Sequence, residues 1–506
     1  MFYEDFKILQ KITLTSTYIF LSLLTFYGNI NIIYKLKDIL ISEKVKTLFD
    51  IDKLLETVKR IHFIGIGGAG MCPLAEILHS KGYQLSGSDN NETDTLQRIR
   101  NLGIPVVLGQ KAENIGDAEM VVFTAALLPD NPELVAAREM GVPTFERSKL
   151  FGAVTRKFGA CVGVCGTHGK TTATSMLTHI LLKSDIDTSA VIGGKLPLIG
   201  ENGRVGTEDL LVCEACEFAN TFLDLSPSAA LLLNIDADHL EFFKTMDNLI
   251  AAFGKFCSLA RDAVIYNGDD EKSRIAVGLA GEKKLITFGF SADNDWYPEN
   301  ISYNRGAFPC FDLMHKGEKI GRVNLLVPGE HNIINAIAAL STAEYLGADM
   351  EKAVEAIASF GGAGRRFEIL GEFDGITVAD DYAHHPAELK VTLDAAMKME
   401  YNNVWAVFQP FTFSRTYMLL DDFAEVLKIA DKVVLTEIMG SREINTYDIH
   451  TEQLASKIEG SVWFESFDTI AQYLYDNVKS GDLVITLGCG DVYKIAKKLI
   501  KLYEAE

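Results

Sequence analysis

From Arg60 onward, short apolar runs alternate with glycine turns and with longer stretches whose apolar residues recur at helical spacing. Parallel α/β domains read this way. "RIHFIGIGGAGM" (60–71) predicts a strand, a glycine turn and the start of a helix, and "YQLSGSD" predicts a second strand ending at Asp89. "ACVGVCG" predicts a strand and "KTTATSMLTHILLKS" a helix with Met176, Leu177, Ile180 and Leu181 on one face. A third block opens near Gly364. Its strands are "ITVADD", "VWAVFQP", "KVVLTEI" and "DLVITLG"; Pro386 suits the first turn of one helix, and "VYKIAKKLI" forms the last. No internal repeat or low-complexity linker interrupts the pattern.

The stretch before it is different. Ile12 to Tyr34 carries no charge and follows Lys7 and Lys11, as a membrane anchor or signal segment would, but Thr13, Thr15, Ser16, Thr17, Ser22, Thr25, Asn29 and Asn31 dilute it. An anchor, an amphipathic appendage and upstream sequence translated in error compete here. The last is preferred, with the organised fold starting near Leu48.

A length of 506 residues suggests about three domains at roughly 150 residues each. A net charge of −21 disfavours nonspecific attraction to nucleic acid or anionic lipid, so anionic ligands must be held by local basic groups. Small molecules are the expected partners. Eight scattered cysteines suit a reducing cytoplasm better than a disulfide framework. Cys213 and Cys216 form a C-x-x-C without a second pair nearby, which buried small hydrophobes explain more simply than a metal.

Candidate chemistry begins with Gly65, Gly67 and Gly70 in G-x-G-x-x-G register, with Gly68 between them and Asp89 nineteen positions past Gly70. Such a loop lets backbone amides approach a pyrophosphate at a helix N-terminus. A nicotinamide dehydrogenase and a UDP-sugar binder both satisfy it. The second loop, "GVCGTHGKTT" (163–172), has Val164 where the usual phosphate loop has glycine. Its chemistry survives: amides from Gly166, Thr167, His168 and Gly169 can surround phosphate oxygens, Lys170 can neutralise their charge, and Thr171 and Thr172 open the helix, with Thr171 able to reach Mg²⁺. Metal ligands are then expected at neighbouring strand ends, where Glu214 follows "DLLVC" and Asn234, Asp238 and His239 follow "ALLL". "DDYAHHP" brings two acids and two histidines to one strand end in the third block.

The expected fold class is therefore α/β in three domains. They are a Rossmann-like domain at 60–152, a central P-loop ATPase-like parallel sheet at 153–362 and a C-terminal Rossmann-like domain at 363–506, after an extension at 1–59.

Together "HFIGIGGAGM", "GTHGKTT", "NIDADH", "PGEHNIINA", "RRFE" and "DDYAHHP" resemble the Mur ligase family, in that family's order and over about residues 60 to 495. "GIGGAGM", and Phe253 fourteen positions after His239, where several sister ligases carry a carbamylated lysine, favour the alanine-adding branch over the tripeptide-recycling one. The resemblance implies a cytoplasmic ligase of cell-wall precursor synthesis. It would use ATP and Mg²⁺ (or Mn²⁺) to join L-alanine to UDP-N-acetylmuramate through an acyl phosphate. It further implies UDP-sugar contacts at Gly65, Gly67, Gly68, Gly70, Asp89 and Arg147, and adenine contacts at His331 and Asn335, although Asn332 as a helix cap would also explain that motif. Thr171, Glu214 and His239 correspond to the metal site. Arg365 or Arg366 resembles the arginine that reaches the γ-phosphate, with Lys170, Asp381, His384 and Arg415 completing the catalytic set. Two departures stand out: the family's "EADES" is "EACEF" here, with Cys216 and Phe218 in place of acid and hydroxyl and Glu217 retained, and "QPHRYTR" is "QPFTFSR", with Phe411 and Thr412 in place of histidine and arginine.

Overall fold

The computed structural model describes residues 50–441 and 443–504. The extension's uncharged stretch lies outside the described residues. Helix α1 (Ile51–Thr57) starts the described fold, capped by Asp50. It packs its buried Leu55 toward the first sheet, and Asp52 pairs with Arg156. Among the described residues, no helix is long and apolar enough to cross a membrane.

Three sheets follow. The first holds β1 (Arg60–Ile64), β2 (Gln84–Asp89), β3 (Val106–Leu108), β4 (Met120–Phe123) and β5 (Thr144–Glu146) in the all-parallel order β3-β2-β1-β4-β5. Strand order reverses beside β1, so the turn from β1 into α2 (Cys72–Ser80) opens onto a crevice. Helix α3 (Arg147–Thr155) leads out of this unit.

The second sheet has ten strands: β6 (Ala160–Cys165), β7 (Ser189–Leu196), β8 (Glu201–Arg204), β9 (Leu210–Glu214), β10 (Ala229–Leu232), β11 (Ala263–Asn267), β12 (Lys284–Phe288), β13 (Trp296–Asn304), β14 (Phe308–His315) and β15 (Glu318–Asn324). Their order is β15-β14-β13-β12-β11-β10-β6-β9-β7-β8, with β6 and its parallel neighbours β10 and β9 inside. Antiparallel ribbons, β13–β15 and β7–β8, finish the two edges. Helix α4 (Lys170–Lys183) departs from the central strand. The helical pattern predicted one apolar face, yet Ala173, Thr174, Ser175, Thr178 and His179 are buried along with Met176, Leu177, Ile180 and Leu181. The cause is α5 (His331–Tyr345) with the helix Met350–Ala358, which pack against α4 and also against strands of the same sheet. The polar groups find partners inside: Thr174 and Thr178 donate to carbonyls four residues back, and His179 Nε2 lies 2.9 Å from Ser359 Oγ.

The third sheet comprises β16 (Glu368–Phe373), β17 (Ile376–Asp381), β18 (Val404–Phe408), β19 (Lys432–Thr436), β20 (Val462–Phe464) and β21 (Leu483–Leu487), in the order β16-β17-β21-β18-β19-β20. All pairs are parallel except the edge pair β16–β17. Pro386 opens α6 (Pro386–Met397) as its sequence predicts, with His385 accepting from Ala387 N as the cap.

Candidate functional site

The first glycine loop is held from behind by Asp89. Its carboxylate accepts from Gly67 N at 3.0 Å and from the amides of Asn90 and Asn91, so its oxygens are engaged inside the loop that the sequence reading gives it a ligand role in. Gly65 has a left-handed φ of 82°. At Gly70 the constraint is space, since a Cβ there would lie 2.7 Å from Arg147 Nη1. Arg147 lies at the start of α3, where burial pulls its pKa below the usual guanidinium range. It lines a cavity of about 170 Å³ with Gly70, Phe151, Ile192, Glu214 and Phe222. Residues as far apart in sequence as Gly70 and Phe222 thus form one chamber between the first and second sheets.

The second loop is stitched to the segment after β10. Thr167 N donates to Asn234 O, His168 N to Asn234 Oδ1, and Asn234 Nδ2 back to His168 O, all near 3.0 Å. Gly166 (φ 140°) and Gly169 (φ 85°) take conformations that need glycine. Lys170 Nζ donates to Gly166 O (2.6 Å), Thr167 O (3.0 Å) and the buried Glu217 (2.9 Å), which uses its three protons within the protein. Burial opposes the ammonium, but Glu217 outweighs it and holds the lysine pKa above its ordinary value.

Glu214, at the end of β9, accepts from Gly193 N, and the Thr171 side chain lies near enough to favour its charged form. Burial raises its pKa against those two groups and Arg366. A half-buried carboxylate beside a hydroxyl at a phosphate loop is a hard-oxygen pair that fits Mg²⁺, which keeps most of its positions for water and phosphate. His239 is placed differently. Its ring stands edge-on to Phe218 with Nε2 4.0 Å from Glu217 and 3.8 Å from Asp238. Among the described residues, no three His, Cys, Asp or Glu side chains are arranged to hold a metal. Cys213 and Cys216 diverge as well: Cys213 is buried with its sulfur 3.9 Å from Cys161, whereas Cys216 is exposed. Phe253 is buried, edge-on to Phe222.

A second cavity, of about 400 Å³, lies between the second and third sheets. His168, Gly169, Thr172, His331 and Asn335 line one wall, and Arg366, Asp381 and Glu388 the other. Asn335 Oδ1 sits 2.5 Å from where a Gly169 Cβ would be, so the loop and α5 touch. Asn332 is not the helix cap. The helix begins one residue earlier, and Asn332 instead donates to Pro328 O and accepts from Asn335 Nδ2, which fixes the Asn335 amide.

The two arginines separate cleanly. Arg365, in a left-handed turn (φ 59°), gives Nε to Asp380 and Nη2 to Gly488 O and lies over Tyr382 and Tyr493. These bonds commit it to the third sheet's framework. Arg366 faces the cavity, with Nη2 3.5 Å from Thr171 Oγ1. Asp381 accepts from Phe367 N and Ala383 N at 2.7 Å each, and burial pushes its pKa up to about 6 despite Arg366. His384 Nδ1 lies 3.2 Å from Glu388, and burial lowers its pKa. Arg415, close enough to oppose that imidazole's charge, starts from a turn where Thr412 (φ 62°) caps its helix. Phe411 forms an isolated parallel backbone bridge with Met439.

Sequence reasoning missed Glu388, whose pKa burial would raise but His384 and Arg366 hold down to about 2. Its position, one helical turn after His384, was the available signal. Asn234 as the brace of the loop, and Glu217 as the partner of Lys170, also emerge only from the fold.

Three adjoining segments match known families in order: residues 60–159 the "Mur ligase family, catalytic domain", 164–343 the "Mur ligase middle domain" and 365–490 the "Mur ligase, glutamate ligase domain". The chain belongs to the Mur ligase family. It is 42% identical to a protein of Acetivibrio thermocellus named UDP-N-acetylmuramate–L-alanine ligase, over 88% of this chain and 96% of that one. It is 43% identical to its namesake in Agathobacter rectalis, over 87% and 97%. The crystal structure of the UDP-N-acetylmuramate–alanine ligase MurC of Thermotoga maritima superposes with a TM-score of 0.75 at 29% identity, covering 88% of this chain and 99% of that chain.

Proposed function

We propose that this protein is an ATP-dependent ligase of peptidoglycan precursor synthesis in the cytoplasm, joining L-alanine to the lactyl carboxylate of UDP-N-acetylmuramate. One observation supports this reading most: the two cavities flank the same helix start. Glu214 lines the chamber with Gly70 and Arg147, Arg366 lines the second chamber, and both act on Thr171, the second residue of α4, Arg366 with Nη2 3.5 Å from its hydroxyl. A nucleotide-sugar on one glycine loop and ATP on the other would bring an acyl carboxylate and a γ-phosphate to the same carboxylate–hydroxyl pair. A dehydrogenase reading leaves the second loop and the third sheet idle.

In this reading the first loop's amides and Arg147 hold the UDP-sugar. Amides of the second loop hold the phosphates, while Asn335 and His331 take the adenine. Thr171 and Glu214 would hold Mg²⁺, with His239 beyond Glu217; the ion, when bound, neutralises charge developing on the phosphates. Phosphoryl transfer needs positioning and charge neutralisation above all, which Lys170 and Arg366 supply. The carboxylate attacks the γ-phosphorus and ADP leaves. The amine of L-alanine then attacks the acyl phosphate carbon, a tetrahedral intermediate collapses, and inorganic phosphate departs. Arg415 and His384 would receive the amino-acid carboxylate, and Asp381 fixes the turn that presents His384.

The test is phosphate release with ATP, Mg²⁺ and UDP-N-acetylmuramate, with L-alanine, glycine, L-serine or alanyl-tripeptide added separately. Release with L-alanine, and a product heavier by one alanine residue, is expected. Release with tripeptide alone would replace the acceptor, and no release from folded protein would overturn the reading.

A further inference from the structure

One ribbon runs between the two glycine loops and touches residues beside both. Strand β7 pairs with β9 over Ser189–Val191, then leaves the regular ladder until Leu196 pairs with Glu201. The irregular stretch is where the contacts lie. Gly193 donates its amide to Glu214, and a Cβ there would sit 2.6 Å from Glu214 Oε2. At Gly194 a Cβ would sit 3.0 Å from the Thr171 methyl and 3.2 Å from Gly364 O, so two adjacent glycines allow the backbone to press against the phosphate-loop helix. Lys195 O accepts from Gly364 N at 2.6 Å, tying the ribbon to the connection that carries the third domain.

The other end of the same ribbon rests on the first domain. Asn202 Nδ2 donates to Ala69 O at 2.7 Å, inside the first glycine loop. Gly203 lies against Pro73 so closely that a Cβ would be 2.5 Å from it. Arg98 clamps the strand by donating to Gly203 O at 2.9 Å and pairing with Glu201 at 2.9 Å. The β7–β8 ribbon thus touches Ala69, Glu214, Thr171 and Gly364.

We propose that the β7–β8 ribbon couples the two nucleotide sites: seating a UDP-sugar on the first glycine loop sets the ribbon through Asn202, and the ribbon sets Glu214, Thr171 and Gly364 for MgATP. The idea rests on the substrate reading above. Coupling between sites is reciprocal in free energy, so each ligand tightens binding of the other by the same factor. Asn202 is a positioning residue and touches neither reacting group.

The experiment is calorimetric titration of the full chain with Mg²⁺ and a non-hydrolysable ATP analogue, with and without saturating UDP-N-acetylmuramate. In the wild type the nucleotide-sugar is expected to tighten the analogue at least about fivefold. Asn202→Ala is expected to bring that ratio below about twofold, with each ligand alone binding within about threefold of wild type. Arg98→Lys, which keeps the charge but loses the fork, is expected to weaken the coupling partway. A merely structural role would weaken binary binding and leave the ratio intact. Full coupling in both variants, or wild-type binding of both ligands without coupling, overturns the ribbon's role while leaving the ligase reading in place. Failure of the wild type to bind UDP-N-acetylmuramate overturns both.

Discussion

Two loops in this protein share one design, a strand running through glycines into a helix, and differ in how they handle charge. The first, Gly65–Gly70, carries no cation of its own; Asp89 braces it, and Arg147 approaches from another helix. The second, Gly166–Gly169, is followed directly by Lys170, which folds back onto it and keeps Glu217 as counter-ion. The difference teaches that a glycine turn specifies a phosphate while its cations specify what is done to the phosphate. A borrowed arginine suits holding a diphosphate, and an in-line lysine suits moving a phosphoryl group.

Lys170→Ala gives the largest expected effect, a loss of turnover of at least about 10³-fold with UDP-sugar affinity nearly unchanged. Turnover near wild type, measured by phosphate release, would break the contrast between the loops. Next come the paired arginines. Arg366→Ala is expected to cut turnover by about 10²-fold with little change in melting temperature. Arg365→Ala should instead destabilise the third domain by roughly 3 kcal/mol, because it strips the buried Asp380 of its partner. Denaturant unfolding beside kinetics separates the two. Arg147→Ala should raise the KM for UDP-N-acetylmuramate about 10- to 100-fold and leave the KM for ATP alone; an equal rise in both would merge the loops' roles.

A last effect concerns pH. Asp381 has a folded-state pKa raised from 3.8 to about 6. The folded protein therefore binds its proton more tightly than the unfolded chain, and the stabilisation is complete below about pH 4 and lost as pH rises through about 6. Relative to Asp381→Asn, the wild type should lose stability between pH 4 and 7 by up to about 3 kcal/mol. Urea unfolding at the two ends checks it, and parallel curves would refute the assignment.

The strands, the glycine turns and the order of the motifs were legible because apolar period and φ requirements are local properties of the chain. The sequence also placed Glu214 and Asp381 at strand ends, where they are found. The choice between Arg365 and Arg366 was not legible, since neighbours point apart and only Asp380 and Gly488, brought up by other strands, claim one of them. The burial of α4 on all sides escaped the pattern too. Threonines read as polar until a helix packs over them, and a hydroxyl satisfied four residues back costs little to bury.

The cavity at the second loop has one wall on α5 and the other on α6, in different domains. A medicinal chemist aiming at it meets half a pocket whenever those domains part. Fragments resting on one wall will score poorly in screens, and compounds long enough to span both will act as molecular staples, with slow release as their signature. A shortened chain ending near residue 362 should accordingly retain adenine nucleotides only feebly.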